Sequence, residues 1–213
     1  MVQSVLDICN MALDYCNIRN ITAIDEKTKE AKKCNAWYDT VRRSLLMNLN
    51  ASFSIKRAIL AEYTDYIPCG AGAKGATAFY GYGKAYVLPR DLLLVLNLGE
   101  PLDDNLYQIE GQYFYCDESI KQVSIRYIAD ITDVSKFDSE FCDCLALKLA
   151  EKICLPLTED EQKTQFLKQL AQQKYIETST KYGRDNRMIV VNQPRYRQSK
   201  VFSRISNCNY PIR

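Results

Sequence analysis

The sequence predicts an α+β protein: a four-helix bundle with an inserted antiparallel β domain and an extended C-terminal arm. Three observations predict it. Apolar residues recur at spacings of three and four near the N-terminus and again after Phe137. The stretch between them breaks into short β-rich runs separated by Gly, Pro, Asp and Asn. Past Gly183 both patterns stop. The corresponding division is residues 1–51 for the first half of the bundle, 52–134 for the β domain, 135–183 for the second half and 184–213 for a basic arm.

Val5, Ile8, Cys9, Ala12, Leu13 and Cys16 lie on one stripe, so residues 4–17 read as an amphipathic helix that Ser4 can cap. A second helix, from about Thr28 to Asn48, is marked by Ala31, Cys34, Tyr38, Val41 and Leu45, with Thr28 as its cap. The two are expected to pair. Between Ser52 and Asp133, the runs AILAEY, KAYVLP, LLLVLNL, LYQIEG, QYFYCD and VSIRYIAD predict five or six strands. Glu110-Gly111, between two aromatic-containing runs, predicts a tight hairpin. After Phe137, the stripe Cys142, Leu145, Ala146, Leu149, Ala150, Ile153 and Cys154 predicts a third helix, which Pro156 should stop. Thr158 with Glu161 has the form of a capping box, opening a fourth helix through Phe166, Leu167, Leu170 and Ala171 to about Tyr182.

A chain of 213 residues can bury roughly 70% of its unfolded surface, and 47% hydrophobic with 25% charged residues is the composition of a globular protein. No apolar run reaches the ~18 residues of a membrane span, and MVQSVLDICN lacks the pattern of a signal peptide; the expectation is a protein made and kept in a cytoplasm, with no membrane partner. The nine cysteines are an odd number in a chain large enough to need no staples, so they read as reduced thiols. Zinc is disfavoured: the sequence has no histidine and no C-x-x-C, and Cys142 and Cys144 would point roughly 200° apart on a helix. Without histidine there is no Ser-His or Cys-His arrangement either. Charge is uneven along the chain. From residue 184 onward seven cations face Asp185 alone, giving +6, and the total of +2 leaves −4 for residues 1–183.

GAGAKG at 70–75 satisfies G-x-G-x-x-G, but its continuation, ATAFYGYGKAYVLP, is no helix start able to aim N–H groups at a pyrophosphate, so a loop between strands is the better reading. Acid clusters at Asp103-Asp104, Asp117-Glu118 and Asp138 to Asp143 fall at turns and helix starts, where carboxylates complete turns or favour the helix dipole. No catalytic, cofactor or metal site is predicted, and the chain reads as a non-enzyme. The arm, with Arg184, Arg187, Arg195, Tyr196, Arg197, Lys200, Arg204 and Tyr210, admits phosphate neutralisation or docking on a protein, since arginine and tyrosine serve both. Within AKKCNAWYDTVRRSLL, Asp39 stands three residues before Arg42 and four before Arg43, so one carboxylate can hold two guanidinium groups beside an aromatic pair. As an exposed set this would add only a few tenths of a kcal/mol, which favours a boundary role for Trp37, Asp39, Arg42 and Arg43.

The order of motifs resembles the tail tubular protein A and head-to-tail adaptor family of short-tailed bacteriophages. The matching pieces are VLDICNMALDYCNI, ITAIDEKTKEAKKCNAWYDTVRRSLL, YVLPRDLLLV, YQIEG, RYIADITDVSKFDSEFCDCLALKLAEKI and the final helix, spanning about residues 3–183. Two departures are LNLNASFSIK, where the family has a histidine-proline-tryptophan-like segment, and a longer Gly-rich loop at 69–83. The resemblance implies a structural virion protein of the head-tail junction, made in the host cytoplasm: a ring, typically twelve copies, seated beneath the portal protein and joined to the next tail component. Genomic DNA would pass through its lumen without specific binding, in keeping with a body of net charge −4. It makes Trp37, Asp39, Arg42 and Arg43 candidates for the subunit or portal interface and the arm a candidate for portal binding. The alternative is a nucleic-acid-binding protein that grips phosphates with the basic arm.

Overall fold

The computed structural model of the chain describes residues 4–64, 82–99 and 106–190, the last six of these as backbone. The Gly-rich run and most of the basic arm lie outside the described residues. Within them, helix α1 (Val5–Tyr15) and helix α2 (Lys29–Leu49) precede seven strands, and helices α3 (Ser139–Thr158) and α4 (Glu161–Val190) follow. The strands are β1 (Ile55–Ile59), β2 (Ala61–Glu62), β3 (Lys84–Val87), β4 (Leu92–Leu98), β5 (Tyr107–Glu110), β6 (Tyr113–Cys116) and β7 (Ser124–Ala129).

Local chemistry sets the helix starts. Ser4 accepts from the Asp7 N–H at 3.2 Å while the Asp7 carboxylate accepts from the Ser4 N–H at 3.0 Å, a reciprocal capping box. Thr28 caps α2 through the Ala31 N–H, and Asp138 caps α3 through the Phe141 N–H at 2.8 Å. The start of α4 differs from expectation. Asp160, not a Thr158–Glu161 box, accepts from the Lys163 N–H at 3.0 Å, and Thr158 instead donates to the Cys154 carbonyl and accepts from the Asp160 N–H. Pro156 does not stop α3, which runs two residues further to Thr158 before Glu159 turns left-handed at φ 57°. A proline there removes a single bond, to the carbonyl of exposed Lys152, which water can satisfy. The fourth helix also continues through Gly183 to Val190 rather than ending near Tyr182, so the arm does not begin at 184.

A four-helix bundle is not what these helices make. α3 is central, with α1, α2 and α4 each packed along it, whereas α1 and α2 meet only briefly and α1 and α4 no more than glancingly. Accordingly α3 is buried beyond the predicted stripe, at Phe141, Cys144 and Leu147 as well, as a helix covered on several sides must be. The rest of the helical core is closed by a sheet: Ile128 of β7 is fully buried in it, and Leu93 and Leu96 of β4 pack against it. The fold is therefore a mixed α+β arrangement with two antiparallel sheets.

The first sheet has the order β1-β7-β4 and the second β2-β3-β6-β5, every pairing antiparallel. Alternation along β7 gives each face its own core: Ile128 faces the helices, while Ile125, Tyr127 and Ala129 join Phe114, Tyr86 and Cys116 in a second cluster between the sheets. The predicted AILAEY strand splits at Leu60, where the chain leaves the first sheet as β1 and enters the second as β2; that accounts for the seventh strand. The expected hairpin is present, with Gly111 at φ 57° in a two-residue turn between β5 and β6.

Candidate functional site

Two turns of α2 hold the predicted cluster, and its parts have different fates. Arg42 is 1% exposed, although arginine is among the residues least often fully buried. Its guanidinium is consumed inside the chain. Nη2 lies 3.1 Å from Asp39 Oδ1, Nη1 donates to the Ile131 carbonyl at 2.6 Å, and Nη1 also pairs with Asp130 Oδ1. The second oxygen of Asp130 takes Arg43 Nε at 3.0 Å. Two arginines and two aspartates thus form a balanced knot that ties α2 to the residues leaving β7. The knot is anchored in the sheet, because the Asp130 N–H donates to the Asp91 carbonyl at 2.7 Å. The Asp91 carboxylate in turn accepts from Lys56 at 2.6 Å and from the Tyr127 hydroxyl at 3.1 Å, and the Lys56 bond, ahead of the others, holds its pKa below the usual carboxylate value.

This bears on the reading of Arg42 as an interface residue: its side chain is buried and turned to three partners within the chain, so it presents almost no surface to a neighbour. Asp39 and Arg43 keep substantial exposure, at 69% and 54% of their side chains, and remain able to meet one. Trp37 sits about 140° around α2 from Arg42 at 100° per residue, so the four do not share one surface. It is 38% exposed and forms one wall of a groove of about 310 Å³ with Val41 and Leu45 of α2, Lys148 of α3 and Tyr175 of α4. Lys148, which lines the groove, holds its ammonium 5.8 Å from the Tyr175 ring centre and 3.1 Å from Glu151.

Of the predicted arm, Arg184 is exposed on α4 and Arg187 lies on the helix, described by its backbone alone. Arg195, Tyr196, Arg197, Lys200, Arg204 and Tyr210 fall outside the described residues. α4 is anchored at Tyr182, the residue at which the apolar pattern predicts the helix end. Tyr182, 1% exposed, donates to Asp138 Oδ2 at 2.6 Å, so the cap of α3 is also the tether of α4. Burial, then that bond, raises the Tyr182 pKa far above its ordinary value. Beside it Lys174 reaches Glu140 at 2.8 Å; this hydrogen bond lowers the Glu140 pKa and raises that of Lys174.

The seven cysteines among the described residues are free and buried. Burial pushes the thiols of Cys116, Cys142 and Cys144 up to about 11 and that of Cys16 to about 12, so none is a thiolate near neutral pH. Cys9 and Cys34 share a hydrogen bond, which raises Cys9 and lowers Cys34. Among the described residues no cluster of three or more His, Cys, Asp or Glu is arranged to hold a metal ion. Sequence reasoning missed Asp130 and the Ile131 carbonyl as partners of Arg42; the pairing spans 88 positions, and the signal for it was an arginine beside the apolar stripe of α2. No family model matches the chain, and neither does any curated protein.

Proposed function

We propose that the chain is a structural ring-forming adaptor, joining a portal to the next tail component at the head-tail junction of a virion. The observation that supports this reading best is the order of five motifs over residues 3–183, which resemble an adaptor family. Each falls on a separate element of the α+β framework: α1, α2 with the segment before it, β4 with the segment before it, β5, and β7 with α3. The chemistry of the described residues is consistent with it, since the knot at Arg42 and the Glu140–Lys174 pair hold elements together and the thiols are buried. Asp39 and Arg43 on one side of α2, and Trp37 on another, keep enough exposure for a neighbouring subunit or the portal to meet them.

Electron microscopy of the purified chain, alone and mixed with purified portal, tests the proposal. Closed rings, free or on the portal, are the expected result; dispersed monomers under both conditions overturn it. Removing residues 191–213 keeps all of α4 and should abolish portal attachment. If that removal instead eliminates a steeply salt-dependent DNA affinity, the nucleic-acid-binding reading takes its place.

A further inference from the structure

On β1 and β7, Arg57 stands directly opposite Arg126, and Asn97 of β4 is the partner of Arg126 on the other side. Like charges directly opposite in an antiparallel pair destabilise the sheet. Among the described residues, neither guanidinium has a carboxylate partner. The two line a concavity of about 440 Å³ together with Asn97, Gly99 and Ser124. Its end is closed tightly: the Gly99 N–H donates to the Ser124 carbonyl at 2.7 Å, and a Cβ on Gly99 would stand 1.8 Å from Ser124 Oγ. By alternation this is the face that carries Ile128 into the helical core, at the end of the strands that the helices leave uncovered. Ile59, opposite Ser124 on the same face, is 67% exposed. A paired arginine fork beside an exposed isoleucine has the composition of a protein-binding patch more than of a phosphate track.

The complementary surface is on the same chain. Glu159, Asp160 and Glu161, three consecutive acids at the turn between α3 and α4, are exposed and have no cationic side chain in an ion pair among the described residues. Apolar side chains flank them, with Leu155 at 44% and Phe166 at 63% exposure. The exposure of Phe166 departs from the predicted helix stripe. The 20 residues of α3 put this turn about 30 Å from the sheet-side end of that helix, where Phe137 packs against the cluster that includes Ile125 and Tyr127. One chain therefore cannot bring its own turn to its own pocket, but two copies can.

We propose that the Arg57–Arg126 pocket receives the Glu159–Asp160–Glu161 turn of a second copy of this chain. Two different patches meeting head to tail make a heterologous interface, which closes into a ring when the rotation between copies permits. The inference rests on the ring reading above and names the contact that would build the ring.

Sedimentation velocity on the full chain and two paired reversals, Arg57→Glu with Arg126→Glu and Glu159→Lys with Glu161→Lys, tests it, with melting curves to show that each variant is folded. Asp160 is left in place because it caps α4. Each pair should weaken association by at least about tenfold. A 1:1 mixture of the two variants should regain assembly as alternating copies, since the basic pocket of one meets the acidic turn of the other and the acidic pocket meets the basic turn, and a chain with all four reversals should regain assembly by itself. Three results overturn the inference. Wild-type chain that assembles while both variants assemble equally well removes this contact and leaves the ring reading standing. Loss of assembly in the arginine variant alone shows that another acidic surface fills the pocket. Wild-type chain that stays monomeric at about 100 µM, with and without portal, overturns the inference and the ring reading together.

Discussion

Replacing Arg42 with alanine is the sharpest test of how the helices are joined to the sheet. The side chain is 1% exposed and serves Asp39, Asp130 and the Ile131 carbonyl. Truncating one partner of a buried ion pair costs about 3–5 kcal/mol, because the remaining charge is left without its partner. Here the loss is toward the lower end: Asp39 is 69% exposed and returns to water, and Asp130 keeps Arg43 at 3.0 Å. What cannot recover is the Ile131 carbonyl and the cavity vacated by the stem and guanidinium, so about 3 kcal/mol is expected. For a domain of this size that is a fall in Tm of about 6–12 °C. Arg43→Ala, at a side chain 54% exposed, should cost no more than about 1 kcal/mol. The assay is thermal unfolding of the two single mutants and the double mutant, followed by circular dichroism. A Tm for Arg42→Ala within about 2 °C of wild type would mean that the buried knot contributes little and that the helix layer is held to the sheet by apolar contact alone.

Tyr182→Phe removes the bond to Asp138 and should cost about 1.5–3 kcal/mol in chemical denaturation, as for a hydrogen bond to a charged group; an unchanged midpoint would remove Tyr182 as the tether of α4. The Glu140–Lys174 pair predicts a pH window. The Glu140 pKa is depressed from 4.5, so its stabilisation is present above about pH 4.5 and lost as pH falls through the lowered value; that of Lys174 is raised from 10.5, so its share is lost as pH rises past about 10.5. Glu140→Gln should lower Tm at pH 7 and shrink the difference from wild type as pH falls below 4.5. Thiol labelling at pH 8 should modify at most Cys69 and Cys208 quickly in the folded protein, and all nine cysteines only after unfolding; rapid labelling of a third would show that one of the seven buried sites opens.

The features the sequence predicted well are those decided within a few residues. Ser4 and Thr28 cap helices because their acceptors lie three positions from the N–H groups they serve. The hairpin at Gly111 is a matter of one left-handed residue. The apolar stripe of α3 is legible because burial repeats along a single helix. What covers a stripe is a different question, and periodicity does not contain the answer. The same stripes serve a four-helix bundle or three helices arranged around a central one with a sheet closing the core, and the second is found. Arg42 shows the limit most clearly. Its local partner Asp39 is visible at a spacing of three, and that pair alone predicts a weak exposed contact; the partners that bury it, Asp130 and Ile131, arrive from the far side of the β region. The end of α4 departs from expectation because the helix continues past the residue at which its apolar pattern stops.

Placing Arg42 inside changes what an assembly surface on this chain can be. A ring needs contacts that leave the subunit fold intact when they are broken, since copies must fold before they meet. A residue that holds α2 to β7 fails that requirement, because its loss weakens the monomer first. Residues that satisfy it reach the surface and have no ion-pair partner among the described residues: the Arg57–Arg126 fork on the sheet and the acid turn at the far end of α3. In this arrangement the knot keeps the sheet and helix layer rigid relative to one another, and the two patches it leaves free become fixed in direction. Arg42→Ala and the Arg57–Arg126 reversal should therefore separate by readout, the first lowering Tm with assembly falling in proportion, the second leaving Tm nearly unchanged while assembly is lost.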